Sequence, residues 1–314
     1  QPRLVVIPAC IDGRVQRWLF VHAKLPFCIV LYAWNIEQVF HAIVVALVKS
    51  LICAYDFRRE GCTVAAIDDL LANIFDGLQP GIMGGFRSEF ATWVRDSRRF
   101  REFAGGNRSK IRAKLKSARE EGGLLDVRAE LQTALLLLGD ERFTLEYETY
   151  AAAKQRGPDY TVTFKTHTPF NIEVRRIRAA DLTAVDVRTE DPTSSSVPGA
   201  PRGHTSKLMA VLCDKVGQMP PSMVNLLWLA ADGDLADSDI ISASAALRQL
   251  AERKADDFFV RRGFINTGDF LKQYGRLSGI VVHQDVGTTV WLNGLARHKP
   301  PREVVTAIER LVLP

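Results

Sequence analysis

The chain has 314 residues, enough for one large core or two modest ones, so its length leaves the number of domains open. Its 41 Lys and Arg residues outnumber 36 Asp and Glu residues, and the formal net charge of +5 permits an anionic partner without requiring one. The five cysteines include no C-x-x-C pair, which argues against a disulfide framework and a structural zinc site. The longest apolar stretch, from Ala42 to Tyr55, is too short to span a bilayer, so we expect a cytoplasmic protein without membrane contact.

Residues 1–90 predict an N-terminal region, mostly helical or α/β, to which the sequence assigns no role. Leu4 to Ile7 and Cys28 to Tyr32 have strand composition, and the nearly continuous apolar residues from Asn35 to Ala54 predict a buried helix. The Gly-rich run from Gln79 to Gly85 predicts a break in the chain before the next region.

Residues 91–123 form a basic segment with helical composition. Between Arg95 and Arg119 ten basic residues stand against only Asp96 and Glu102. Two interpretations remain open. The segment could lie along a phosphate backbone, where Lys and Arg gain by displacing counterions, or it could be a solvated helix face with Ile111 and Leu115 turned to the core.

Residues 124–233 give the most readable pattern of elements. The predicted elements are a helix from Leu124 to Leu138, strands from Phe143 to Tyr150, Asp159 to Thr166 and Phe170 to Arg178, a helix from Ser206 to Val216, and a strand from Val224 to Ala230. A tight turn at residues 167–169 would join the second and third strands, which predicts an antiparallel meander. Residues 188–204 have the Ser- and Pro-rich composition of a mobile flap. The predicted order is α-β-β-β-α-β.

Residues 234–314 predict an α/β extension packed on this core, because their two short strands are too few for a separate one. The predicted elements are helices from Ala243 to Arg253 and Thr267 to Tyr274, strands from Gly279 to His283 and Thr288 to Leu292, and a closing helix from Arg302 to Leu311.

Three carboxylates are placed where they could act together. Asp159 opens one predicted strand and Glu173 lies inside the next, so adjacent antiparallel strands would bring them within reach of one ion. Glu130, on the preceding helix, could supply a third oxygen. Clustered carboxylates that seat a divalent metal are what metal-assisted phosphodiester hydrolysis needs.

This arrangement resembles the PD-(D/E)XK nuclease superfamily, whose signature is a helix Glu, an Asp often preceded by Pro, and Glu-x-Lys on the next strand. The matching residues are Glu130, Gly157-Pro158-Asp159 and Glu173-Val174-Arg175, in a segment covering about a third of the chain. The resemblance implies a restriction-endonuclease-like α/β core with a mixed sheet. It also implies that Asp159, Glu173 and the Val174 carbonyl bind Mg²⁺ or Mn²⁺, with Glu130 assisting.

The motif departs from the family at Arg175, where the family carries Lys. A guanidinium stays charged and is bulkier than an ammonium, so Arg175 could polarise the water or the phosphate but not exchange a proton. A displaced lysine, Lys165 or Lys207, could serve instead, or catalysis could be lost. Period-two counting places Lys165 on the same side of its strand as Asp159.

The resemblance also implies that the helix after the acidic strand flanks the nucleic acid with a Lys or Gln. The candidates here are Lys207, Lys215 and Gln218, and Lys165 is a further candidate nucleic-acid contact. Gln218 follows Gly217, which favours a turn residue bonded to the backbone.

Two functions follow as expectations. The first is a metal-dependent endonuclease acting on DNA. The alternative is a catalytically inactive nuclease-fold module that binds nucleic acid or takes part in an assembly, favoured by Arg175 and the basic run. The sequence leaves open whether the substrate is DNA or RNA, whether cleavage has a sequence preference, and whether the chain forms a homodimer.

Overall fold

The computed structural model describes residues 4–11, 14–22, 65–78, 80–150, 157–178, 204–284 and 286–312. The chain divides into two compact units, residues 1–66 and 67–314. In the first unit, strands β1 (Leu4–Ile11) and β2 (Arg14–His22) form an antiparallel hairpin. β1 includes the strand predicted from Leu4 to Ile7. The strand and helix predicted within residues 28–54 lie outside the described residues. So does the flap predicted at 188–204, except for His204, which begins a helix.

The described helices and remaining strands follow in chain order. They are α1 (residues 65–75), α2 (Pro80–Asp96), α3 (Arg98–Gly106), α4 (Arg108–Ser117), α5 (Glu121–Gly139), β3 (Phe143–Tyr147), β4 (Tyr160–Phe164), β5 (Thr168–Ile177), α6 (His204–Val216), β6 (Asn225–Ala231), α7 (Asp237–Glu252), α8 (Asp256–Val260), α9 (Thr267–Tyr274), β7 (Gly279–Gln284), β8 (Gly287–Leu292) and α10 (Arg302–Glu309). None of the helices within the described residues combines the length and the apolar composition needed to cross a membrane.

Strands β3 to β8 form one mixed six-stranded sheet in the order β3-β4-β5-β6-β7-β8. β3, β4 and β5 pair antiparallel, as the meander prediction required. β6 runs parallel to both β5 and β7, with α6 as the crossover from β5, and β8 closes the sheet antiparallel to β7. The prediction of an α/β protein with a mixed sheet is confirmed, and the C-terminal strands extend that sheet.

Both faces of the sheet are covered by helices. One face carries the core to which α1–α5 and α10 contribute, and the other carries the core formed with α6–α9. β6 shows how one strand serves both, because Trp228 belongs to the first core while Leu227 and Leu229 belong to the second. A parallel central strand buried on both sides needs such a continuous apolar run.

The glycine-rich break predicted at residues 79–85 is wrong. α2 begins at Pro80, where a missing N–H costs a helix nothing, and continues through Gly84 and Gly85. Its buried stripe of Met83, Phe86, Phe90 and Val94 packs into the first core, and this burial outweighs about 1 kcal/mol of helix propensity lost at each glycine. The boundary predicted at residue 90 falls inside this helix.

The turn between β4 and β5 also differs from the prediction. The connection consists of residues 165–167, between the paired residues Phe164 and Thr168. Lys165 and Thr166 both have positive φ, at 50° and 68°, which is typical of tight hairpin turns. Pro169 therefore lies within β5 and not in the turn. Asn-Gly is a usual sequence for such a turn, so the Lys165-Thr166 pair did not predict a turn at this position.

Candidate functional site

Asp159 and Glu173 lie opposite each other at the end of the β4–β5 pair. Tyr160 pairs with Ile172, and the same register continued by one residue places Asp159 across from Glu173. β5 extends beyond β4, so the N–H of Val174 has no strand partner on that side. Asp159 Oδ2 accepts this hydrogen bond at 2.8 Å, which fixes the carboxylate at the end of the strand.

Lys114, on α4, lies among three carboxylates. Its Nζ is 2.5 Å from Glu130 Oε2, 3.1 Å from Glu148 Oε1 and 3.4 Å from Asp159 Oδ1. All four side chains are a quarter exposed or less. Burial lowers the pKa of Lys114, but Glu130 and Asp159 outweigh it and raise that pKa above its usual range, so the ammonium stays charged.

Two tyrosines hold this cluster in place. The Tyr147 hydroxyl donates to Glu130 Oε2 at 3.0 Å, and the Tyr160 hydroxyl donates to the Glu130 carbonyl at 2.9 Å. Their rings stack at 5.2 Å, and the Lys114 ammonium lies 5.0 Å above the Tyr147 ring. Burial raises the pKa of both phenols, which keeps them protonated as donors.

Glu148 reaches the cluster from a backbone conformation that L-residues seldom adopt. It follows β3 directly with φ at 48°, and its N–H donates to the Asp159 carbonyl at 2.8 Å. Such a conformation costs on the order of 1 kcal/mol and persists only where neighbouring contacts enforce it. The contacts with Lys114 and Asp159 are the ones that enforce it here.

Glu173 faces α6 on the opposite side of the sheet from α4. Its Oε1 accepts from Lys215 Nζ at 2.5 Å, and the side chains of Glu173 and Lys215 are 7% and 14% exposed. Its second oxygen, Oε2, is buried and has no hydrogen-bond partner among the described residues. A buried carboxylate oxygen without a partner is costly, so this atom marks an open position in the site.

Glu130 and Glu173 hold their protons more tightly than free carboxylates. Burial, followed by the charge of Asp159, raises the pKa of each to about 7, and in each case a lysine partner opposes the rise. The negative charge of Asp159 is the second cause of the raised pKa of Glu173, after burial, as expected for carboxyl groups on opposed residues.

The remaining candidates lie elsewhere. Lys165 is a turn residue at the far end of β4, roughly 17 Å of strand from Asp159, and its ammonium pairs with Glu303 at 2.5 Å. Period-two counting was expected to place Lys165 on the same side of the strand as Asp159, but the strand ends at Phe164 and Lys165 lies in the turn. Lys207 lies about 12 Å along α6 from Lys215.

The Gln218 side chain donates to the Asp214 carbonyl at 3.4 Å. Gln218 is therefore a turn residue bonded to the backbone, as its position after Gly217 favoured. Arg175 is half-buried on β5, two residues from Glu173, and its side chain makes no hydrogen bond or ion pair with the described residues.

Much of the basic run is used inside the fold. Arg99 donates to the carbonyls of residues 138, 140 and 143, and Arg112 to the carbonyls of residues 73, 74 and 76. Ile111 and Leu115 are buried, as the solvated-face interpretation expected. Four members of the run are exposed and have side chains without an ion pair or hydrogen bond among the described residues: Arg95, Arg108, Lys116 and Arg119. The phosphate-backbone interpretation is thus limited to these four.

Sequence reasoning missed Lys114 and Glu148 and gave Lys215 a different role. Lys114 lies next to Leu115 and three residues after Ile111, so the core positions of α4 could have indicated that it lies at the boundary with the sheet. No local pattern indicates that Lys215 pairs with Glu173, which is 42 residues earlier.

The arrangement of the carboxylates limits how a metal ion could be held. No group of three or more His, Cys, Asp or Glu side chains in the described ranges is arranged to hold a metal ion. Two carboxylates do offer oxygens, because Glu173 Oε2 has no described partner and Asp159 Oδ1 has only a long contact with Lys114. Mg²⁺ commonly binds through one or two carboxylates and keeps several waters.

Models of known protein families, curated proteins and solved structures were compared with this chain, and none of them matches. The geometry of Asp159, Glu173 and the two lysines is therefore the basis for inferring a function.

Proposed function

We propose that residues 124–233 form a restriction-endonuclease-like core of the PD-(D/E)XK type and that the protein is a metal-dependent nuclease hydrolysing phosphodiester bonds in DNA. The order α5-β3-β4-β5-α6-β6 supports this, since it combines an antiparallel meander with a helical crossover to a parallel strand. Glu130, Asp159 and Glu173 fall on the elements where that superfamily carries its acidic residues.

The observation that carries the proposal is the environment of Glu173. One oxygen accepts from Lys215, and the other is buried without a described partner beside the opposed Asp159. A carboxylate pair with an open position and an adjacent ammonium is the chemistry that metal-assisted phosphoryl transfer uses. Lys215 reaches Glu173 from α6 and supplies the ammonium that the motif lacks at Arg175.

Each residue then has a defined role. Asp159, Glu173 and the Val174 carbonyl would hold Mg²⁺ or Mn²⁺, and such an ion, when bound, polarises a phosphate oxygen and lowers the pKa of its water. Lys215 fixes the Glu173 carboxylate and places a positive charge beside the phosphate. Arg175, without a described partner, is available to stabilise charge on that phosphate. Glu130 acts indirectly, by holding Lys114 against Asp159.

The test is nicking of supercoiled plasmid with Mg²⁺ or Mn²⁺. We expect wild-type cleavage, and a loss of at least a hundredfold in Asp159→Asn, Glu173→Gln and Lys215→Met. Lys165→Met is the matched control, because it removes a lysine paired with a glutamate far from the site. Circular dichroism checks that each variant is folded. Full activity in folded Asp159→Asn would refute the proposal.

A second candidate is the inactive nucleic-acid-binding or assembly module. The observation in its favour is that Lys114 already compensates three carboxylates without a metal ion. This candidate predicts no cleavage with either ion. It predicts binding to DNA that weakens as salt rises and that falls when Arg108 and Lys116 are replaced by Ala.

A further inference from the structure

We infer that a groove between α10 and the adjoining end of the sheet binds a small phosphorylated ligand, at a site separate from the proposed nuclease centre. The groove has a volume of about 380 Å³. Its lining includes four basic side chains, one acidic side chain and one hydroxyl: Arg142, Lys165, Arg302, Arg310, Glu303 and Thr306. Lys165 lies in the turn at the opposite end of β4 from Asp159, so the inference does not depend on the proposed function.

Three of the lining side chains form one row along α10. Arg302 begins the helix, Thr306 follows one turn later, and Arg310 directly follows the last residue of the helix in a helical conformation. Positions four apart on a helix are neighbours on one face, so Thr306 lies between the two arginines. The row has a fixed direction, because Val304 and Ile308 of the same helix are buried in the first core.

The two arginines of this row carry charges that the chain does not pair. Arg142 and Lys165 already have carboxylate partners, each at 2.5 Å. Arg302 and Arg310 are exposed, and within the described ranges their side chains make no ion pair or hydrogen bond. A guanidinium group presents planar N–H donors that match the oxygens of a phosphate in pairs. Two such groups that line one groove are therefore suited to a phosphate group.

Glu303 shows that an oxyanion is favoured in this groove. Its side chain is 70% exposed, yet its pKa is held below the usual range. The largest cause is the hydrogen bond from Lys165, followed by the charge of Lys165 and, more weakly, by the charges of His167 and Arg142. The Glu303 carboxylate is engaged with Lys165, so it leaves both arginines of the row available to a bound anion.

The size of the groove favours a small ligand over a nucleic-acid backbone. A volume of about 380 Å³ lies within the range of small-molecule pockets, roughly 300–1,000 Å³. Proteins that bind nucleic acid through charge place several Lys and Arg side chains along the backbone. Here the unpaired arginines are only two, and they lie about 12 Å apart along one helix axis, close enough for both side chains to reach one ligand.

The experiment is isothermal titration calorimetry of the full chain with inorganic phosphate and with pyrophosphate at physiological ionic strength. We expect wild type to bind both probes, and Arg302→Ala/Arg310→Ala to bind pyrophosphate about tenfold more weakly or worse. Arg248→Ala/Arg253→Ala is the matched control, because it removes two exposed arginines from α7 and its C-terminal end, on the other face of the sheet, and should bind as wild type does. Equal affinities of the two double variants would overturn the inference, and so would an absence of binding to wild type.

Thr306→Glu separates loss of the site from loss of the fold. A carboxylate at this position would pair with both arginines at a spacing of four residues, which supports the helix while it takes the place of the phosphate. We expect pyrophosphate to bind about tenfold more weakly or worse, with a melting temperature no lower than that of wild type. Binding at wild-type affinity by folded Thr306→Glu would contradict the assignment of the groove.

A short DNA duplex distinguishes the two sources of phosphate. Arg302→Ala/Arg310→Ala should bind the duplex as wild type does while it loses affinity for pyrophosphate, and this result supports a small ligand. If the same variant weakens binding of the duplex as much as that of pyrophosphate, the groove takes a nucleic-acid backbone and the inference of a small ligand is overturned.

Discussion

Replacing Lys215 by Met tests whether a buried ion pair holds Glu173. The two side chains are 14% and 7% exposed and their charged atoms are 2.5 Å apart. Met keeps most of the apolar length, so the main effect is an unpaired carboxylate beside Asp159. Breaking a buried pair from one side costs about 3–5 kcal/mol. For a unit of this size that corresponds to a melting temperature lower by roughly 6–20 °C, at about 2–4 °C per kcal/mol.

The free energy of unfolding that Lys215→Met loses should depend on pH. Burial, followed by Asp159, already raises the pKa of Glu173 to about 7, and loss of Lys215 raises it further. A carboxyl with a raised folded pKa stabilises the fold below its unfolded pKa and loses that contribution as pH rises through the folded value. Lys215→Met should therefore be more destabilised relative to wild type at pH 8 than at pH 6, as measured by urea unfolding at both values.

Lys165→Met is the matched control for this variant. Its pair with Glu303 has the same 2.5 Å separation, but the side chains are 44% and 70% exposed, so the expected cost is about 0–1 kcal/mol. The double variant Glu173→Gln/Lys215→Met lacks both charges and should recover part of the free energy of unfolding that Lys215→Met alone loses. If the free energies of unfolding of Lys215→Met and Lys165→Met differ by less than about 1 kcal/mol at pH 8, the assignment of a buried ion pair to Glu173 and Lys215 is refuted.

Three further predictions concern packing and titration. Gly279→Ala would place a Cβ 2.7 Å from the Trp291 carbonyl oxygen and should lower the free energy of unfolding, measured in urea, by about 1–3 kcal/mol. Gly84→Ala has open space around its Cβ and should be neutral or stabilising by up to about 1 kcal/mol. Equal effects of the two substitutions would contradict the β7–β8 contact. Burial raises the pKa of the Cys213 thiol to about 11, so iodoacetamide at pH 8 should leave Cys213 unmodified in folded protein and label it in urea, as read by mass spectrometry. Burial and Asp159 raise the pKa of Glu130 to about 7, so wild-type stability should fall more between pH 5 and pH 8 than that of Glu130→Gln; parallel curves would show that Glu130 titrates normally.

Much of the sheet and its helices could be predicted from local sequence. The α9 helix was predicted with the bounds that it has, Thr267–Tyr274, and β3 and β7 begin at the predicted residues. These elements have a clear alternating or helical pattern of apolar residues bounded by Gly, Asn or Asp. The pattern is local because each side chain's face depends only on the backbone period.

Predictions from local composition were wrong where core packing or strand register requires a different backbone conformation. The glycines near residue 84 predict a break, yet α2 passes through them because four apolar side chains of that helix enter the core. The β4–β5 turn lies at Lys165 and Thr166, a pair without turn propensity, because the register of the two strands requires left-handed residues there. Moving the turn by two residues removed Lys165 from the strand and from the site.

The sequence by itself determined that Asp159 and Glu173 belong to adjacent antiparallel strands joined by a short hairpin. The observed turn decided that they oppose each other, because a turn at 167–169 would pair Asp159 with Ile177, whereas the observed register pairs it with Glu173. Only the tertiary structure decided which cations face them. Lys114 and Lys215 come from helices 45 and 42 residues away from the carboxylates they contact, on opposite faces of the sheet. An ion pair between side chains so far apart in sequence depends on how helices pack on the sheet, and no periodicity within either segment encodes that packing.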